Sequence, residues 1–169
     1  RYGNVFGSRG SVVPYFLDLK EQNIEKYPIT DKRMTRFWIT LQEGVDFVLN
    51  TFDRMQGGEI FVPKIPSVKI LDVLEAIENK AEYEEVGIRP GEKLHEVMCP
   101  SDESHKIVEF KKYYLIPPSI QFFADEMNYK TALDGEAGDI VEDGFEYDSL
   151  TNPSYLTVNE IQEYIESYL

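Results

Sequence analysis

The opening segment, Arg1 to Phe16 (RYGNVFGSRGSVVPYF), constrains the fold more than any other stretch. A short aromatic start runs into Gly3-Asn4, two glycines bracket Ser8-Arg9, and an apolar run with helical spacing follows. The pattern predicts a buried strand ending under a ligand, a loop that closes on an anion, and a helix over Ser11–Gln22 capped by Ser11. Gly7 and Gly10 would let backbone N–H groups approach that anion. The Asn4 amide can donate to a phosphate or a sugar hydroxyl, and Arg9 brings a planar cationic fork. A plain surface turn is the competing reading. Because the pattern starts at residue 1, without an initiator Met, the expectation is the second half of something larger.

A length of 169 residues suffices for one domain with its own core. The single Cys99 excludes an internal disulfide and fits a reducing, cytoplasmic compartment. With only His95 and His105 beside it, a zinc cluster is not expected. No apolar run approaches the ~20 residues of a membrane helix. The net charge of −14 argues against nucleic acid or an anionic membrane as partner. That charge is uneven. Residues 1–40 hold seven Lys/Arg against four Asp/Glu, whereas residues 41–169 hold ten against twenty-seven. An arginine-rich start facing a small anion is one reading; a solubilising acidic face further along accounts for the rest.

Helices alternate with short strands along the chain. Strands are expected at Arg1–Val5, Tyr27–Thr30, Arg36–Trp38, Glu59–Val62, Tyr83–Ile88, Lys106–Phe110 and Tyr113–Ile116. Thr40 opens an amphipathic helix with Leu41, Val45, Val48, Leu49 and Phe52 on one face. Ser67 is expected to cap a second, with Ile70, Leu71, Leu74 and Ile77, and a short helix is expected at Lys93–Val97. Residues 119–156 read as acidic loop. The last helix opens with a Thr157/Glu160 capping box and is expected to bury Ile161, Tyr164, Ile165, Tyr168 and Leu169. The parts that hold a dinucleotide are missing. No glycines are spaced G-x-G, and no Tyr lies four residues before a Lys.

Two further arginines stand out. Arg36, in Thr-Arg-Phe-Trp, is expected to be partly buried and so needs an anion, an aromatic face or a structural salt bridge. Arg89-Pro90-Gly91-Glu92 is a turn in which Arg89 can pair with a phosphate and Glu92 can accept from ribose hydroxyls. A surface turn with a local ion pair is the alternative. His95 reads as structural rather than as an acid or base, and Cys99 as a small buried hydrophobe.

Four segments in register, RYGNVFGSRGSVVPYF, ITDKRMTRFWIT, GGEIFVPKIPS and GIRPGEKLHEVM, resemble the inverting UDP-N-acetylglucosamine 4,6-dehydratases. These are extended short-chain dehydrogenase/reductases that make amino sugars for surface glycans. The closing DGFEYDSLTNPSYLTVNEIQEYI resembles that family's C-terminus. The resemblance implies an α/β fold: the C-terminal, substrate-binding part of a Rossmann-type enzyme, with the last strands of the parent sheet and a small mixed α/β lobe. Residues 1–22 would border the dinucleotide domain, 23–118 would form the UDP-sugar lobe, and 119–169 an acidic extension with the final helix. The N-terminal half, with the glycine-rich turn and catalytic residues, is absent from this sequence, so no catalytic residue is expected here.

The resemblance also implies roles. Asn4, Arg9, Thr30, Arg36, Arg89 and Glu92 would bind UDP-N-acetylglucosamine, with Arg36 and Arg89 on the diphosphate and Glu92 on the ribose. Tyr2, Gly3 and Val5 would border NADP, held mainly by the other half. In the implied reaction, hydride leaves C4 of the sugar, water leaves C6, hydride returns to C6, and C5 is inverted. The expected partners are that missing half and further copies of the enzyme. A related epimerase, a retaining dehydratase, a non-catalytic UDP-sugar-binding module and a structural fragment are the rival readings.

Overall fold

The computed structural model describes residues 1–120 and 127–168, the last without its side chain. Part of the expected acidic loop, 121–126, and the side chains of Tyr168 and Leu169 therefore lie outside the described residues. In chain order the elements are β1 (Asn4–Val5), α1 (Val12–Glu21), β2 (Lys26–Ile29), β3 (Thr35–Ile39), α2 (Leu41–Phe52), β4 (Ile60–Pro63), β5 (Ser67–Lys69), α3 (Ile70–Ile77) and β6 (Glu82–Glu85). They continue with β7 (Val97–Cys99), a 3₁₀ turn (Ser101–Lys106), β8 (Val108–Glu109), β9 (Tyr113–Ile116), β10 (Asp139–Ile140), β11 (Tyr147–Asp148) and α4 (Val158–Tyr168). Two compact units result, each assembled from separated stretches.

The first unit comprises Gly3–Thr40, Ile65–Glu96 and Ser149–Leu169. Its centre is β3, whose Thr-Arg-Phe-Trp-Ile sequence has the β-branched and aromatic character of a strand. Phe37, Trp38 and Ile39 are all buried, so the strand reads as a continuous apolar run rather than an alternating one. β1 pairs with it in parallel, Asn4 opposite Trp38. β5 pairs antiparallel on the other side, Arg36 opposite Val68. β2 instead pairs with β6, in parallel, Ile29 opposite Glu85. In α3, Ile70, Val73, Leu74 and Ile77 recur at helical spacing and all are buried. They share one core with Val13 and Phe16 of α1, Trp38 of β3, and Ile161 and Ile165 of α4. Each such side chain contributes ~1.5–3 kcal/mol by leaving water.

Two expected helix signals are overridden here. Ser67 does not cap α3; it is fully buried in β5, and Lys69 occupies the cap position. Its backbone bonds Ser154 and Leu156, and its hydroxyl accepts from Asn152 Nδ2 at 3.0 Å. The helix expected at Lys93–Val97 does not form. The carbonyls of Lys93, Leu94 and Glu96 are instead taken by Arg36, by the Thr35 amide and by the Ser149 amide. At the last helix the capping box is present, with Thr157 N donating to Glu160 Oε2 at 2.7 Å and Glu160 N to Thr157 Oγ1 at 3.3 Å.

The second unit comprises Arg1–Tyr2, Leu41–Lys64 and Val97–Asp148. It holds an antiparallel sheet in the order β10-β8-β9-β4 and a β7–β11 pair. Phe110 N donates to Tyr113 O at 2.9 Å to close the β8–β9 hairpin, and the two rings stack at 4.7 Å. Phe61, Val108, Phe110, Tyr113 and Leu115 form its core, with Phe47 of α2 packed against them. α2 thus packs through the side that carries Gly44, which is buried, and Phe47. The apolar stripe read from the sequence lies on the exposed side, with Leu41 69% and Phe52 63% accessible. Among the described residues, no helix is long and apolar enough to cross a membrane.

Asn152 is the buried polar hub of the first unit. Its Nδ2 donates to Ile65 O at 2.9 Å, Ser67 Oγ at 3.0 Å and Ser154 O at 3.0 Å. Asn152→Ala should lower stability by ~1–3 kcal/mol, because it leaves buried acceptors unpaired; urea unfolding measures this, and an unchanged midpoint would refute it. A second prediction concerns pH. Arg33 grips Asp31 with Nε at 2.9 Å, Nη2 at 2.7 Å and its backbone N–H at 2.8 Å. These bonds hold the Asp31 carboxyl down at about 2, against its usual 3.8. A depressed folded-state pKa stabilises the fold above the usual value, and that stability is lost as pH falls toward 2. Between pH 4 and 2 the melting temperature of the parent chain should therefore fall more steeply than that of Asp31→Asn; parallel slopes would exclude the linkage.

Candidate functional site

A cleft of about 600 Å³ opens in the first unit, and every residue lining it belongs to that unit. Three groups of residues, joined by Asp18 of α1 and Ile70 of α3, form it. Asn4, Val5, Phe6, Gly7 and Gly10 come from the end of β1 and the glycine loop, followed by Ser11 to Phe16 at the start of α1. Pro28, Ile29 and Thr30 come from the end of β2, with Met34, Arg36 and Trp38 from the approach to β3 and β3 itself. Val86, Arg89 and Glu92 come from the segment after β6. The fold builds this meeting point locally. The β2–β6 pair continues as Val86 N to Ile29 O at 2.8 Å and Gly87 N to Thr30 O at 3.1 Å. These bonds carry Val86 and the Arg89 turn to the end of β2.

Five of the six residues singled out for substrate line this cleft: Asn4, Thr30, Arg36, Arg89 and Glu92. Arg9 is not among the lining residues. It is exposed on the loop between Gly7 and Gly10, whose φ values of 66° and 78° lie in the left-handed region. Neither Arg9 nor Arg89 makes an ion pair among the described residues. Arg36 differs, with a side chain only 13% exposed. Its Nη1 donates to Thr35 O at 2.7 Å and Leu94 O at 3.1 Å, and its Nη2 to Lys93 O at 2.8 Å. Its Nε lies 3.7 Å from Glu96. One oxygen of Glu92 accepts from Arg89 N at 3.2 Å, which fixes the Arg89–Glu92 turn.

Of the three residues singled out for the cofactor, Val5 lines the cleft. Gly3 does not; a Cβ there would stand 2.6 Å from Phe37 Cβ and 2.7 Å from Phe37 O, so the close approach of β1 to β3 accounts for this glycine. Tyr2 belongs to the second unit and is exposed. His95 lies outside the lining; its Nδ1 is bonded to Thr35 Oγ1 at 2.8 Å. Burial pushes the Cys99 thiol up to about 12, so it stays protonated near neutrality. Among the described residues no group of three or more His, Cys, Asp or Glu is placed to hold a metal.

Sequence reading missed the role of Ser11. It stands at the cap position of α1 yet makes no capping bond, and its buried hydroxyl has no partner. A capping side chain bonds the second or third helical N–H, and the third residue here is Pro14, which has none. Pro three residues after a candidate cap was the available signal. Val86 and Ile29 were also missed as cleft residues, since neither carries a chemical motif. Together the cleft offers a free guanidinium, the carboxylates of Asp18 and Glu92, a carboxamide, hydroxyls, helix N-terminal amides and apolar side chains. Such a set suits an anionic, hydroxylated ligand with a flat apolar part.

Comparison with known proteins gives this cleft a context. A family model described as polysaccharide biosynthesis protein matches residues 1–118. The chain is 52% identical, over 165 residues, to an inverting UDP-N-acetylglucosamine 4,6-dehydratase of Campylobacter jejuni, covering 98% of this chain and 49% of that protein. It is 38% identical, over 141 residues, to a UDP-glucose 4-epimerase of Rickettsia massiliae, covering 80% of this chain and 40% of that one. The crystal structure of Pen from Bacillus thuringiensis superposes on all of this chain and 50% of its own, with TM-score 0.77 and 30% identity. The chain spans about half the length of the curated relatives it matches. The mixed α/β fold is the one expected for the C-terminal half of an extended short-chain dehydrogenase/reductase. The chain belongs to the polysaccharide biosynthesis protein family, and the inverting UDP-N-acetylglucosamine 4,6-dehydratases are among its relatives.

Proposed function

We propose that this chain is the UDP-sugar-binding half of an inverting UDP-N-acetylglucosamine 4,6-dehydratase of the cytoplasm. The observation that carries the reading is the convergence of Asn4, Thr30, Arg36, Arg89 and Glu92, distant in sequence, on one cleft. Identity of 52% over nearly the whole chain favours the dehydratase over the epimerase, at 38% over 80%.

In this reading the diphosphate lies between Arg89 and the start of α1. There the Ser11 hydroxyl gains a partner and the helix dipole favours negative charge. The flat uracil packs against Ile29 and Val86, and the free oxygen of Glu92 accepts from the ribose. Thr30 lies along the nucleotide, and Asn4, at the end of β1, reaches the substrate near its diphosphate. Arg9 reaches it from the glycine loop. Most affinity then comes from the UDP handle, which positions the hexose without gripping the atoms that must react. Overall the sugar loses one water, the oxidation at C4 and the reduction at C6 cancelling.

The residues of this chain suit a border of the cofactor rather than its cradle. No G-x-G turn exists to hold a pyrophosphate. Val5, and Tyr2 with its exposed ring, are the residues that would adjoin NADP. When bound, it supplies reversible hydride acceptance at C4. An N-terminal half would hold it and provide the acid–base groups. The exposed stripe of α2, with Leu49 and Phe52, is the face that such a half would cover.

Arg89→Ala should weaken UDP binding about tenfold or more, since a charged hydrogen bond is worth ~1.5–3 kcal/mol. Uridine, which lacks phosphate, should bind the variant as it binds the parent chain. Calorimetry with UDP and ligand-observed NMR with uridine measure the two affinities; an unchanged UDP affinity would remove Arg89 from the site. A second prediction concerns catalysis. The chain alone should make no 4-keto-6-deoxy sugar from UDP-N-acetylglucosamine and NADP, whereas adding the N-terminal half of a relative should restore product. Phe52→Asp should block that rescue. Product from the isolated chain, read by NMR, would sink the division of labour.

A further inference from the structure

We infer that Tyr164, on the C-terminal helix and outside the cleft, is a positioning residue: through the ring of Phe6 it sets the glycine loop that brings Gly7, Gly10 and Ser11 to the site. The inference rests on the nucleotide-sugar reading for its ligand and on ring geometry for the coupling. Three rings meet where β1 gives way to that loop. Phe6 and Trp38 stand edge to face, with centroids 4.9 Å apart and planes at 63°. Phe6 and Tyr164 do the same at 5.6 Å and 78°. Trp38 and Tyr164 close the triangle at 6.5 Å. Phe6 and Trp38 line the cleft, and Tyr164 does not.

Two of the three rings have fixed seats. Trp38 is buried, in a strand paired on both sides. Tyr164 stands three residues after Ile161 and one before Ile165, on the face of α4 whose isoleucines are buried in the core shared with α3. Phe6 lies in neither a helix nor a strand. Its loop has little regular structure to define it. Ser8, Arg9 and Gly10 are exposed, and both glycines have positive φ. Ser8 N donates to Val5 O at 3.2 Å and Ser11 N to Ser8 O at 2.9 Å, which closes turns inside the loop. Phe6 ties the loop outward, by its N–H to Ile39 O at 2.8 Å and by its ring. A ring seated edge-on against two others has a preferred orientation as well as a preferred depth. Without the Tyr164 ring, Phe6 keeps one aromatic wall, and the loop after it loosens. The start of α1 then shifts, and with it the Ser11 hydroxyl and the helix amides at the phosphate end. The β2 side of the cleft is held separately, by Val86 N to Ile29 O and Gly87 N to Thr30 O.

Tyr164→Leu keeps an apolar side chain on α4 and removes the ring. UDP affinity should fall roughly two- to tenfold, the worth of one aromatic edge contact. Uridine, which lacks the diphosphate, should bind the variant as it binds the parent chain. Amide exchange at Phe6, Ser8 and Ser11 should rise in the ligand-free variant, and exchange at Val86 and Gly87 should not. Tyr164→Phe keeps the ring and should match the parent in every measurement. Ile161→Val loosens the packing of the same helix without removing a ring. It should lower the melting temperature and leave UDP affinity and loop exchange at parental values, whereas a purely structural role for α4 would make it behave as Tyr164→Leu does. In the parent chain with isotope-labelled tyrosine, the Tyr164 ring resonances should shift when UDP binds and stay in place when uridine binds. The inference is overturned if Tyr164→Leu leaves loop exchange and UDP affinity at parental values, or lowers UDP and uridine affinity alike. If Tyr164→Leu does not fold, Tyr164 ring resonances that ignore UDP in the parent chain overturn it. If the parent chain binds neither ligand, the nucleotide-sugar reading fails, and the exchange measurements still decide the coupling.

Discussion

The cleft depends on one five-residue strand. β3 pairs with β1 through Trp38 and Ile39 and with β5 through Thr35, Arg36 and Phe37. From the same strand Thr35 and Arg36 hold Leu94, and Ile39 O receives the amide of Phe6 at 2.8 Å. Both sides of the cleft, the Asn4 end of β1 and the Arg89–Glu92 turn, are therefore referenced to one backbone. That arrangement needs a strand that cannot slip. Phe37, Trp38 and Ile39, each nearly inaccessible to water, supply the constraint, because a one-residue shift would misplace every side chain.

The two cleft arginines differ in their bonding: Arg36 donates to the carbonyls of Thr35, Lys93 and Leu94, whereas Arg89 makes no ion pair among the described residues. A cation buried against backbone carbonyls stiffens a segment that has no helix or sheet of its own, and the exposed cation on that segment is then presented in a fixed direction.

What could be read from the sequence was whatever is encoded over a few residues. The Thr157/Glu160 capping box and the Ile70–Ile77 stripe depend on near neighbours and both are present, while the strand expected over Arg1–Val5 forms only at Asn4–Val5. The elements that did not follow their local signal answer to distant partners. Lys93–Val97 has helical character, but Thr35, some 60 positions away, and Ser149, some 50 away, claim its backbone. Ser67 looks like a cap, but Asn152 and Ser154 draw it into a strand. α2 shows a clear stripe, and its unit packs the other side. For the site, residue types with chemistry were legible at Asn4, Thr30, Arg36, Arg89 and Glu92, whereas the commitment of Arg36 to carbonyls was not. That depends on the conformation of residues 93 and 94, which no local pattern specifies.

Ser11 shows a local rule broken at the lining of the cleft. Its backbone has the extended conformation of a helix cap, with φ −78° and ψ 171°. Pro14 is favourable early in a helix because its fixed φ suits the first turn, but at the third position it removes the N–H that a cap would bond. The serine hydroxyl is left buried and unpartnered, at a cost of ~1–3 kcal/mol for an unsatisfied polar group. An alanine there would avoid that cost without losing a capping bond, since none is made. A polar group kept under those conditions, beside the open end of α1 and across a cleft that also contains Arg89, is accounted for if a ligand completes it. The same proline that frees the hydroxyl leaves Val12 and Val13 as the amides at the start of the helix, so the geometry that weakens the cap leaves those donors at the cleft, where a helix N-terminus favours negative charge.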